Sequence, residues 1–168
     1  MATDRSIDDR RIADAVDHSE IRRLQDAYAD IVTRRRWDEL GEVFLDTTVL
    51  DLDLRDATKR FVGPPAIGDF IEGALRQFEF FQFGILGTRI HLRAGGDDDA
   101  AAGRMYMTEL RQTADGHWSQ IYGVYHDRFA RVDGRWWFAH RTYHSLARRD
   151  LPAVVFDFPH HLGLDALP

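Results

Sequence analysis

Three side chains on two consecutive apolar runs could move protons or hold a developing oxyanion. Tyr125 and Asp127 stand two residues apart in Gly123-Val-Tyr-His-Asp127, and His140 follows in Trp136-Trp-Phe-Ala-His140. A phenol donates a hydrogen bond to a carbonyl or enolate oxygen. A carboxylate or imidazole can take a proton from carbon. Strand alternation puts Gly123, Tyr125 and Asp127 on one face. Asp127 could serve as a base if burial raised its pKa. Its place near a strand end makes a structural partner the commoner outcome, and Arg141 on the neighbouring run is a candidate. On the last run Trp136, Phe138, His140 and Thr142 share a face, with Trp137, Ala139, Arg141 and Tyr143 on the other. If the first set points inward, His140 is the best imidazole for acid–base work. The bland alternatives are a tyrosine packed in a wall and a histidine hydrogen-bonded there, and both are more frequent than catalysis.

Other chemistries find little support. The chain has no cysteine, so disulfides, thiolate catalysis and Cys-based zinc sites are excluded. His126 should face outward beside Tyr125, His91, His117 and His144 look peripheral, and His160-His161 diverge on an extended tail. No His-x-His or His-x-x-x-His joins a carboxylate at metal-binding spacing, so no metal and no cofactor is expected. Asp97-Asp-Asp99 lacks the alternating ligands of a calcium loop. A formal net charge of -6 argues against non-specific nucleic-acid binding. Arg34-Arg35-Arg36 reads as a solvated helix end whose cations complement the C-terminal dipole. No apolar run reaches the roughly 18 residues of a membrane span. The polar start, with Asp4, Asp8 and Asp9, lacks the core of a signal peptide, which leaves the cytoplasm as the expected location.

The elements that must position these groups follow from periodicity. Ile21, Leu24, Tyr28, Ile31 and Val32 fall at helical spacing. Trp37-Asp-Glu-Leu40 opens a shorter helix with Leu40, Val43 and Phe44 on one side. Leu50, Leu52 and Leu54 alternate with Asp51 and Asp53, which predicts a strand. Gly63-Pro64-Pro65 is a turn that leads into a third helix through Ile67, Phe70, Ile71, Leu75 and Phe78. Four strands are then predicted, at about 82–94, 102–113, 117–131 and 135–147. Asp133-Gly134 between the last two is a strong hairpin signal, because both residues tolerate positive φ in a type I′ turn. Helices early and strands late predict an α+β fold, with a curved antiparallel sheet wrapped around three N-terminal helices to form a cone with an internal pocket. Residues 1–16 read as a charged N-terminal arm, 17–147 as the one domain, and 148–168 as an irregular tail.

In this order and spacing, Tyr28-Ala-Asp30, Trp37-Asp38, Gly63-Pro-Pro-Ala-Ile67, Gly123-x-Tyr125-x-Asp127 and Asp133-Gly-x-Trp136 resemble the SnoaL-like proteins of the nuclear-transport-factor-like α+β cone superfamily. The resemblance covers about residues 18–146. It implies a mostly apolar pocket and a homodimer or homotrimer. Members include polyketide cyclases, dehydratases, a dehydrochlorinase, ketosteroid isomerases, dioxygenase small subunits and plain binding modules, so fold alone does not choose among them. Many of the dehydratase-like members pair an Asp late in the first helix with a His after the third. Aligned on Trp37-Asp38 and on Gly87-Thr88-Arg89, those positions here are Thr33 and Phe83, neither of which is a base. The family geometry implies a pocket lined by Tyr28, Thr33, Leu52, Leu54, Phe83, Tyr106, Tyr125, Asp127 and Phe138, suited to a small apolar or aromatic ligand. The leading expectation is a cofactor-independent lyase or isomerase with His140 as base and Tyr28 and Tyr125 as donors. The alternatives are a non-catalytic ligand-binding or assembly module, or the small subunit of a ring-hydroxylating dioxygenase.

Overall fold

The structure, a computed structural model, describes residues 2–55 and 57–152, with side chains from Ile7 to Arg149. The first helix, α1 (Ala2–Arg34), is 33 residues long. It contains no Gly or Pro, so nothing in it breaks helical propensity. Its C-terminal half buries Ile21, Leu24, Tyr28, Ile31 and Val32 as one stripe. The helix stops in a Schellman motif: Arg36 N–H donates to the Ile31 carbonyl (3.0 Å), Arg35 N–H donates to that of Val32 (3.2 Å), and Arg35 takes a left-handed φ of 58°. Arg35 then donates through Nη2 to the Phe78 carbonyl (2.6 Å), which pins this helix end to the sheet. Arg34 is held by Asp30 and Glu39, and Arg36 by Asp38 and Glu39, so two of the three cations of the basic run are neutralised locally.

A 3-10 turn (Trp37–Glu42) replaces the expected second helix and leads into β1 (Phe44–Asp53) and β2 (Thr58–Val62). Gly63, at φ 81°, opens α2 (Pro64–Leu75), with proline in its first turn. Then come β3 (Phe78–Leu92), β4 (Ala100–Thr113), β5 (His117–Val132) and β6 (Arg135–Pro152). Asp133 (φ 52°) and Gly134 (φ 76°) both sit at positive φ, as a type I′ hairpin requires.

The fold is α+β, with one open six-stranded sheet in the order β2-β1-β6-β5-β4-β3. Its neighbours pair antiparallel except β1 and β6, which run parallel. The C-terminal half of α1, the 3-10 turn and α2 cover the concave face. At the core's centre the Tyr28 ring lies within 5.6–6.3 Å of the rings of Phe83, Phe44, Phe138 and Tyr125.

Two boundaries differ from expectation. Residues 2–16 continue α1 instead of forming a separate arm, and Asp14 and Asp17 tie the helix to Arg93 (2.6 Å) and Arg131 (2.6 Å). Strand β6 runs to Pro152, five residues into the predicted tail, because it pairs with β5 as far as His117. The remainder of that tail, 153–168, lies outside the described residues. No helix among the described residues is long and apolar enough to cross a membrane.

Candidate active site in the cone

A cavity of about 280 Å³ opens between the concave sheet face and α2. Val32 and Tyr28 from α1 and Leu50, Leu52 and Leu54 from the β1 side form part of its wall. Phe70, Ile71, Ala74 and Leu75 from α2, with Phe81 and Ile121, complete the apolar surface. Its polar side chains are Tyr28, Tyr125, Tyr143, Gln77, Glu109, Arg111 and Arg148. The size suits a ligand of one or two rings, at the small end of ligand pockets.

Two bulges in β6 decide which of its side chains reach this space. Register jumps at Ala139, between the Arg128–His140 and Phe129–Phe138 pairs. It jumps again at Leu146, between the Tyr122–Ala147 and Gly123–Ser145 pairs. Each extra residue flips the alternation. Trp136 and Phe138 therefore point inward before the first bulge, Arg141 and Tyr143 after it, and Arg148 after the second.

The same flip sends His140 to the outer face, contrary to the alternation counted from Trp136. There its Nε2 lies 2.9 Å from Asp51 Oδ2, and Asp51 also accepts from Arg60 Nε (2.7 Å) and Nη2 (2.8 Å). Arg60 first and His140 second hold the Asp51 carboxyl down to about 2. His144 pairs with Asp53 on the same face (3.3 Å), and its ring is 5.4 Å from that of His126. Among the described residues no group of three or more His, Asp or Glu is arranged to hold a metal ion.

Asp127 is fully engaged. It accepts from Arg141 Nε (2.7 Å) and Nη2 (3.3 Å), and neither side chain is exposed. The Arg141 guanidinium lies 4.0 Å from the Tyr125 ring centre, 4.1 Å from Tyr28 and 4.2 Å from Phe138. Burial pushes the Asp127 carboxyl up and the Arg141 charge opposes it. This pair braces the aromatic core from below and is not a cavity wall.

Of the other residues the family geometry implies, Tyr28, Tyr125, Leu52 and Leu54 converge on the cavity. Thr33 and Phe83 meet each other, but outside the wall: the Phe83 N–H donates to Thr33 Oγ1 (3.1 Å), joining α1 to β3. The phenyl ring of Phe83 is core. Phe138 is also core, packed on Phe44 and Phe129. Tyr106 is 44% exposed on the outer face, because Met105 and Met107 take the inward positions of β4.

Sequence reasoning missed Glu109, Arg111, Tyr143 and Arg148. The first two continue the inward alternation Met105-x-Met107-x-Glu109-x-Arg111, a legible signal. Bulges concealed the other two. Glu109 is paired with Arg111, and its side chain is only 13% exposed. Burial raises the pKa of the Tyr28, Tyr125 and Tyr143 hydroxyls, and the Glu109 charge adds a smaller push to each. Burial carries Tyr125 well above 10. The phenols are therefore neutral donors at working pH. The tightness of the site shows at Gly123, where a Cβ would lie 2.3 Å from Cε2 of Tyr143.

A family model described as a SnoaL-like domain matches residues 13–142. Among curated proteins no relative matches the sequence. A solved hexachlorocyclohexane dehydrochlorinase, type 2, superposes with a TM-score of 0.76 at 17% identity, over 89% of this chain and 98% of its own. A scytalone-dehydratase-like protein of Novosphingobium aromaticivorans gives 0.70 at 18%, over 84% and 91%. An aromatic-ring-hydroxylase-like protein of the same species gives 0.70 at 21%, over 82% and 94%. At these identities the likeness is one of fold.

Proposed function

The chain belongs to the SnoaL-like domain family, and from that premise we propose a cofactor-independent lyase or isomerase acting on a small apolar carbonyl or aromatic compound. Glu109 is the proton-transfer group, and Tyr28 and Tyr125 are the hydrogen-bond donors. One observation carries the reading: among the described residues Glu109 is the one carboxylate of the cavity wall, and the same wall holds Tyr28, Tyr125 and Tyr143.

The chemistry is economical. Glu109 takes a proton from the carbon beside a carbonyl; the C–H electron pair becomes the enolate C=C bond and the carbonyl π pair moves onto the oxygen. A phenol donating to that oxygen stabilises the enolate. The enolate then expels a leaving group, or recovers the proton at another carbon. Buried phenols with raised pKa values stay protonated and so remain donors throughout. Arg141 beneath the two rings holds them in place and adds positive potential.

A second reading, a non-catalytic binding module, is favoured by the Thr33–Phe83 hydrogen bond standing where relatives are expected to hold an Asp–His pair. Thermal-shift screening followed by turnover assays separates the two. For an enzyme, Glu109→Gln loses turnover of a stabilising compound while still binding it, and Tyr125→Phe lowers kcat more than it weakens binding. A protein that is stabilised by many compounds and converts none is a binder. The same reading takes the protein to act in the cytoplasm as a homodimer or homotrimer, which light scattering of the purified chain checks.

A further inference from the structure

We propose that the cavity selects an apolar acid: a one- or two-ring compound whose carboxylate sits at the mouth against Arg148 and Arg111. This rests on the cavity being the ligand site, and it adds the substrate's charge to that reading.

The charge balance of the mouth is the first ground. Glu109 and Arg111 neutralise each other. Arg148 is exposed at the rim and makes no ion pair or hydrogen bond among the described residues, yet it lines the cavity and its charge reaches the Tyr143 hydroxyl. Among the described residues the mouth therefore carries one uncompensated positive charge above an apolar interior. The chain as a whole is acidic, at -6, so the local positive excess runs against the general surface.

Arg111 supplies the second ground. Its Nε is buried and has no hydrogen-bond partner among the described residues, although its Nη2 serves Glu109. Buried guanidinium hydrogens are normally satisfied, so this N–H is available to an acceptor that a ligand brings. An oxygen anion is the acceptor that best suits a guanidinium.

Spacing is the third. Glu109, Ile121 and Arg148 pair in one row across β4, β5 and β6. Two strand spacings separate the outer two, roughly 10 Å. A flat ring lying over Ile121 reaches from one side to the other. A carboxylate on Arg148 then leaves the rest of the ring system facing Glu109 and the tyrosines, with Leu52, Phe70 and Ile71 closing over it.

The test compares two probes of the same shape, 2-naphthoate and 2-naphthamide, by isothermal titration with the full chain. The acid should bind about tenfold tighter, the ratio a charge-assisted hydrogen bond at a partly exposed site supports. Arg148→Gln should cut the preference several-fold, leaving only what Arg111 supplies, and Arg148→Lys should keep most of it. Raising salt should shrink the preference, because the contact is exposed. Equal binding of both probes by the wild type overturns the proposal, as does a preference undiminished in Arg148→Gln, or failure of both to bind. Glu109→Gln separates this claim from the catalytic one. The acid preference must persist in that variant, whether or not any compound is ever turned over.

Discussion

Replacing Gly123 with alanine probes the contact that shapes the cavity floor. The added Cβ would stand 2.3 Å from Tyr143 Cε2 and 2.8 Å from both Cζ and Oη. No carbon pair tolerates those distances, so the ring must swing away. On one side it is blocked by Tyr125, whose ring centre is 5.1 Å away. The open direction is the cavity, so the variant should lose ligand affinity as well as stability. Overpacking of a filled site costs about 1–3 kcal/mol. Alanine also restricts the unfolded chain, which offsets about 0.4–1 kcal/mol. The net loss should be about 1–2 kcal/mol, and a domain of this size should melt roughly 2–8 °C lower. Urea unfolding of four proteins measures it: wild type, Gly123→Ala, Tyr143→Ala and the double variant. In the Tyr143→Ala background the clash is gone, so Gly123→Ala should be neutral or slightly stabilising. A loss that is the same in both backgrounds, or under about 0.5 kcal/mol in the wild type, would refute the account of why glycine stands there.

The other perturbations act on charge. Asp127→Ala leaves the Arg141 guanidinium buried without its partner and should cost about 3–5 kcal/mol, read from the same urea curves. Asp51 is depressed to about 2 from a normal 3.8 by Arg60 first and His140 second. Its contribution is thus present above pH 3.8 and lost as pH falls from there towards 2. Screening at this partly exposed site limits it to about 1 kcal/mol or less. Stability measured at pH 5, 3 and 2 should fall less steeply for Asp51→Asn than for the wild type. Glu109→Gln should keep ligand affinity within a few-fold and lose turnover by at least about 100-fold, the usual weight of a general base.

Local signals were read well because local physics decides them. Asp133-Gly134 predicts its turn by backbone tolerance alone, and both residues adopt positive φ. The buried stripe of α1 from Ile21 to Val32 follows from helical spacing. Tyr125 and Asp127 face inward because β5 pairs with β4 without interruption. The misplaced residues trace to non-local pairing. No residue type in Phe138-Ala-His140 announces that Ala139 will be left out of the ladder, and that one omission moves His140 outside and Arg141 inside. The parallel pairing of β1 with β6 joins segments about ninety residues apart, so no short-range pattern reports it. The segment before Asp17 reads as an arm because its residues from Ile7 to Val16 are mostly exposed. Asp14 and Asp17 reach Arg93 and Arg131, partners far along the chain that only the fold brings near.

The central claim is that Glu109 moves a proton on a bound carbon acid. Solvent deuterium uptake into 2-tetralone, a neutral two-ring ketone with acidic hydrogens beside its carbonyl, tests it by NMR. The wild type should accelerate exchange well above the protein-free rate, saturably in ketone, and Glu109→Gln at matched occupancy should fall to the protein-free rate. Exchange that is equally fast in Glu109→Gln, or no acceleration by a wild type shown to bind the ketone, would contradict it.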